Sequence, residues 1–95
     1  MKLIKKKLDA GGIWLCTKYD KQGCSLKPGG WTITIPSKPK CFQTSGHISG
    51  YSEKKGGCTI FTNSDCTGKT EFVDQAGWKQ FPISPVLSYT CQDML

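Results

Sequence analysis

The chain has 95 residues, six of them cysteine and eleven glycine, and thirteen lysines against seven acids give it a formal charge of +6. One domain of this size buries only about 60–65% of the surface its unfolded chain exposes, so an apolar core alone leaves a thin margin over chain entropy. No run is long and apolar enough to cross a membrane as a helix. Arginine, the residue suited to bidentate phosphate and base-edge contacts, is absent, which argues against specific nucleic-acid binding.

In chain order, residues 1–10 read as a basic flexible tail. Lys2, Lys5, Lys6 and Lys7 lie in it, and from residue 8 onward nine lysines face seven acids, so the folded part is near +2. The tail lacks the apolar stretch of a secretory signal. For a secreted protein the signal is then expected to have been removed, with the tail an expression addition or the end of a pro-segment. Gly11-Gly12 opens a single domain expected over 11–92. A first strand is expected at Ile13–Thr17. Trp31–Ile35 alternates β-branched residues and stops at Pro36. Thr59–Thr62, Thr70–Val73 and Val86–Thr90 are further strands. Turn clusters are expected at 27–30, 36–39, 54–57, 63–65 and 81–85. Nowhere do apolar residues recur at helical spacing for ten residues, so the fold class is all-β and the architecture a β-sandwich.

Cys16, Cys24, Cys41, Cys58, Cys66 and Cys91 form an even set in a short chain, the pattern of a disulfide framework in an oxidising, extracellular compartment. Structural zinc usually takes ligands two to four residues apart. The closest pairs here, Cys16 with Cys24 and Cys58 with Cys66, have seven residues between them, and His47 is the only histidine. No metal or other cofactor is expected. Six cysteines allow fifteen pairings, and spacing does not choose among them.

The chain contains a weak internal repeat. Cys16-Thr-Lys-Tyr-Asp-Lys-Gln-Gly23 and Phe61-Thr-Asn-Ser-Asp-Cys-Thr-Gly68 both place a glycine seven residues after an apolar strand residue, at an offset of 45. The cysteines give a different offset, 42, from Cys16 to Cys58 and from Cys24 to Cys66. The glycine register is the more trustworthy, because a glycine marks a backbone conformation that other residues reach poorly.

At these residues the chain resembles the βγ-crystallin-like family, and in particular its small secreted fungal members. Phe61, Cys66 and Gly68 match the family motif of two large residues and a glycine, and Cys16, Lys21 and Gly23 form a weaker first copy. Gly11–Cys16 and Leu87–Cys91 are similar to the starts and ends of such proteins. The resemblance implies two Greek-key motifs, about 11–52 and 56–92, packed as a disulfide-stapled β-sandwich. It implies that Gly23 and Gly68 permit folded-over hairpins on which Ser49 and Ser88 pack. It further implies the pairings Cys58 with Cys91, Cys24 with Cys41 and Cys16 with Cys66. Many members bind calcium just before those serines, but Ser45-Gly46 and Ile83-Ser84 carry no carboxylate there, so no calcium binding is expected.

The residues do not assemble into expected catalytic chemistry. His47 could serve a hydrolytic arrangement only with an orienting acid and a free nucleophile. Asp65, Glu71 and Asp74 read as solvated surface acids, and the Gly-Gly turns precede no helix that would hold phosphate. Trp14, close to Cys16, is expected in the core, and Trp31 is open between core and surface. Trp31 and Trp78, with Lys54, Lys55, Lys69 and Lys79, are the candidate binding surface. The expected function is a monomeric, secreted, non-enzymatic protein acting on another organism as a virulence effector, killer-toxin-like or antimicrobial protein. Its partner would be a host or competitor protein, a membrane or a cell-wall component. The alternatives are an extracellular protease inhibitor, using Pro36–Lys40 or Phe81–Pro85 as its loop, and a structural or cell-wall carbohydrate-binding protein.

Overall fold

The computed structural model describes residues 8–9, 11–29, 31–32 and 40–91, and these contain strands and no helix. The strands are β1 (Leu8–Asp9), β2 (Gly12–Cys16), β3 (Cys24–Pro28), β4 (Trp31–Thr32), β5 (Phe42–Gln43), β6 (Ser49–Ser52), β7 (Cys58–Phe61), β8 (Thr70–Val73) and β9 (Ser88–Cys91). They form an antiparallel sheet in the order β3-β2-β6, a second in the order β5-β9-β7-β8, and a two-stranded ribbon of β1 with β4. Leu8 and Asp9, from the stretch read as a tail, therefore pair with Thr32 and Trp31. The continuation of the strand expected to Ile35 lies outside the described residues.

Alternation explains the core. In β2, Ile13 and Leu15 point inward and are fully buried, while Trp14 between them points out and stays half-buried. The expectation that Trp14 belongs to the core is thereby corrected: nearness to Cys16 in sequence says nothing about which side of the pleat a residue takes. Ile60, Val73 and Tyr89 supply the facing side from the second sheet, joined by Phe81 and Val86 from the loop before β9. Both sheets thus share one core, in a sandwich-like arrangement.

Each sheet meets, at one edge, a segment from the other half of the chain. β5 leaves the first half and pairs with β9, with Phe42 opposite Tyr89 and Gln43 opposite Ser88. In return, Trp78 from the second half bridges Gly50 on the open edge of β6, through N–H···O bonds of 2.8 and 3.2 Å. Ser52 N–H donating to the Asp74 carbonyl at 2.8 Å extends that edge.

Three disulfides staple the frame: Cys16–Cys24, Cys41–Cys66 and Cys58–Cys91. The expected Cys58–Cys91 pairing is present, and the expected Cys24–Cys41 and Cys16–Cys66 pairings are not. The reason is the ladder. Cys16 and Cys24 are directly opposite in β2–β3, and Cys58 and Cys91 directly opposite in β7–β9. Cys41 enters β5, which has crossed to the second sheet, so its partner is Cys66 between β7 and β8. Each bridge supplies about 2–4 kcal/mol in a chain with so small a core. Three disulfides are compatible with an extracellular protein.

Tyr89 crosses the sandwich. Its ring stacks on Phe42 with centroids 5.4 Å apart, and its hydroxyl donates to the Pro28 carbonyl of β3 at 2.7 Å. Burial pushes the phenol up to about 12 from its ordinary value of 10.0. A group whose pKa is higher in the folded state stabilises fully below its unfolded value and loses that contribution as pH climbs to the folded one. Stability should therefore be level up to about pH 10 and fall between about 10 and 12, by at most about 3 kcal/mol. Denaturant titrations of wild type and Tyr89→Phe across that range check this: the variant should start less stable and show a smaller alkaline decline.

Candidate functional site

Two hairpins define the frame on which any surface is carried. In the first, Thr17 N–H donates to Gly23 O at 3.2 Å and Lys18 N–H to Gln22 O at 3.2 Å. In the second, Thr62 N–H donates to Lys69 O at 3.1 Å and Asn63 N–H to Thr67 O at 3.1 Å. Lys21 and Cys66 take left-handed conformations at φ 57° and 58°, as do Gly23 at 66° and Gly68 at 91°. A Cβ at Gly23 would stand 2.8 Å from Thr17 Oγ1, and one at Gly68 2.5 Å from Thr62 Oγ1. Both glycines are thus required twice over, by φ and by space.

A buried serine holds each hairpin. Ser49 Oγ donates to Lys18 O at 2.6 Å and accepts from Lys21 N–H at 3.2 Å. Ser88 Oγ donates to Asn63 O and accepts from Cys66 N–H at 2.9 Å. Lys18 with Asn63 and Lys21 with Cys66 are each 45 residues apart, so the hydrogen bonds follow the glycine register and not the cysteine one. Phe61, the first large residue of the second motif, closes β7 opposite Ser88.

The outer face of the first sheet is different in kind. Leu26 lies opposite Trp14, and Trp14 opposite Tyr51, so the three stand side by side on β3, β2 and β6. Trp14 and Tyr51 stack with centroids 5.9 Å apart and planes 17° from parallel. Leu26 is 44% exposed. Lys21 Nζ lies 5.8 Å from the Tyr51 ring centroid and donates to the Ala76 carbonyl. Sequence reasoning missed Leu26 and Tyr51 as surface residues. The signal available was the Ile13–Trp14–Leu15 alternation, which aims Trp14 outward, but its neighbours emerge only with the strand register.

The expected binding residues are dispersed over the fold. Trp78 is half-buried against the core, with Nε1–H donating to Phe72 O at 2.8 Å. Lys54 and Lys55 are exposed in the turn after β6, where the Lys54 carbonyl accepts from Ser52 Oγ and Gly57 N–H. Lys79 is exposed beside the first hairpin, its carbonyl accepting from Asp20 N–H at 2.9 Å. Lys69 is exposed in the second hairpin. The side chain of Trp31 lies outside the described residues. Of the two proposed inhibitory loops, Phe81–Pro85 is anchored by Phe81, 6% exposed, and by Ile83 packed on the core. The other, except for exposed Lys40, lies outside the described residues.

A cleft of about 100 Å³ opens beside His47, lined also by Tyr19, Phe81, Ile83 and Ser84. His47 Nδ1 shares a 3.0 Å hydrogen bond with Thr44 Oγ1. Burial, and secondarily the charge of Lys27, holds the imidazole below its ordinary pKa. The cleft's lining includes no carboxylate to orient that ring. Among the described residues, no three His, Cys, Asp or Glu side chains cluster closely enough to hold a metal ion.

Comparison with protein-family models, curated proteins and solved structures finds no match to this chain.

Removing the Ser88 hydroxyl leaves the Cys66 N–H and Asn63 C=O without their partner in a part-buried setting, at a cost of about 1–3 kcal/mol. Ser88→Ala should lower the thermal midpoint by at least about 4 °C, and Ser49→Ala should do the same. Thermal unfolding of both, with Ser45→Ala on the exposed loop as the unaffected comparison, checks this.

Proposed function

We propose that the protein is a secreted, non-enzymatic member of the βγ-crystallin-like group, of its small cysteine-rich fungal type, and acts by surface binding on another organism. The fold part of this reading is supported by the exchange of β5 and Trp78 between sheets. Two four-stranded Greek keys, each giving its third strand to the other's sheet, would produce the orders β3-β2-β6-Trp78 and β8-β7-β9-β5. The matched serine-to-hairpin bonds support it as well.

The observation that carries the functional part is the row Leu26–Trp14–Tyr51. Leu26 is exposed while Trp14 and Tyr51 are half-buried, and side chains of this kind at the surface of a rigid frame concentrate binding energy, because little entropy remains to be lost on contact. Here the frame is cross-linked three times, and β2, the central strand of the row, is tied through Cys16 to the strand beside it. The cleft beside His47 is small and its lining includes no carboxylate, a poorer basis for a function than the face.

Growth and viability of fungi and bacteria exposed to the oxidised protein provide the test. At least one organism should be inhibited, and reduction of the disulfides should abolish the effect. Tight inhibition of a protease with no effect on any organism would contradict the reading.

A further inference from the structure

The half of the fold that carries this apolar row also carries the larger positive charge. The described segments that build this sheet and its edge, residues 11–29, 46–57 and 74–81, carry six lysines and three acids. Those that build the second sheet, residues 40–45, 58–73 and 82–91, carry two lysines and two acids. Lys18, Lys54, Lys55 and Lys79 of the first group are exposed, and Lys21 reaches over the Tyr51 ring. Lys27 is the exception, since it pairs with Ile13 and shares its inward side.

From this we propose that the Leu26–Trp14–Tyr51 face docks on an anionic phospholipid membrane, with the three side chains entering the headgroup boundary and the exposed lysines of the same segments meeting lipid charge. The proposal rests on the reading that the protein acts on another organism, and names the surface it meets there. Trp and Tyr favour the membrane interface, where an apolar ring body is buried and a polar tip stays wet. Each lysine brought to an anionic leaflet strengthens partition by about fivefold. The row crosses only three strands, roughly 10 Å, well short of the area that a standard protein interface buries. A bilayer asks for no matching shape. A sugar ring would need a free aromatic face, whereas Trp14 and Tyr51 stack on each other and Lys21 lies over Tyr51.

The test is co-sedimentation of the full oxidised chain with vesicles of phosphatidylserine and phosphatidylcholine in equal parts, and with phosphatidylcholine alone. Binding should favour the anionic vesicles by at least about tenfold, fall with added salt, and shift tryptophan emission to shorter wavelength. Leu26→Glu should weaken it by about tenfold or more. Phe72→Glu makes the same charge change at a residue 49% exposed on the second sheet, and should weaken it no more than charge alone requires, by about fivefold or less. Lys55→Glu, in an exposed turn, should weaken binding without altering the emission shift of the bound form.

Equal losses in Leu26→Glu and Phe72→Glu would overturn the proposal, since attraction would then be general and not seated on this face. Absence of binding to anionic vesicles, or retention only on an acidic polysaccharide or a protein, would also overturn it. Growth assays with wild type and Leu26→Glu separate the two readings. Inhibition by both without vesicle binding would leave action on another organism standing and remove the membrane face. Face-dependent vesicle binding with no organism affected would do the reverse.

Discussion

Each half of this chain completes the other's sheet. β5 runs beside β9, and Trp78 closes the edge of β6 through two backbone hydrogen bonds to Gly50. Without that exchange, each half would be a three-stranded sheet with an apolar face and an open edge. Such a unit has too little core to offset its chain entropy. The exchange places Phe42 against Tyr89 and lets the Tyr89 hydroxyl reach Pro28. It also carries Cys41 to Cys66. The shared core and one of the three staples are consequences of one pair of crossings.

Within each half, the same device recurs with different cysteines. A serine hydroxyl, buried and satisfied as donor and acceptor, holds a hairpin whose left-handed residues resist the ordinary backbone preference. The hairpin partners of the two serines, Lys18 with Asn63 and Lys21 with Cys66, match at an offset of 45, while the serines themselves stand 39 apart and the cysteines keep neither spacing. Cys66 occupies the place of Lys21, and Cys16 the place of Phe61. A disulfide needs only two positions brought opposite each other, so different positions in the two halves can serve it. The hairpin has less freedom, because a Cβ at Gly23 or Gly68 would run into a threonine hydroxyl.

Much of this was legible from the residues. β2, β7 and β8 show apolar, aromatic or β-branched character, the glycine register located the two hairpins, and the family resemblance pointed to their serines. β3 was not legible, because Ser25, Lys27 and Pro28 on an edge strand show no alternation, and Pro28-Gly29 reads as a turn. β5 is two residues long and exists through its pairing with β9. The disulfides followed the same division. Cys58–Cys91 could be expected from the ends of one motif, but Cys41–Cys66 depends on a crossing that no local pattern announces. The outer-face row was hidden for a related reason, since Leu26, Trp14 and Tyr51 are neighbours only in the register of β3, β2 and β6.

The functional reading stands on this frame, since a face three strands wide is rigid only if both its edges are held. The direct measurement is a set of interstrand nuclear Overhauser contacts in solution. Contacts of Phe42 and Gln43 with Ser88 and Tyr89, together with contacts between Gly50 and Trp78, are the predicted result. Contacts of residues 42–43 confined to the first half of the chain, with none between Gly50 and Trp78, would contradict the exchange and the account built on it.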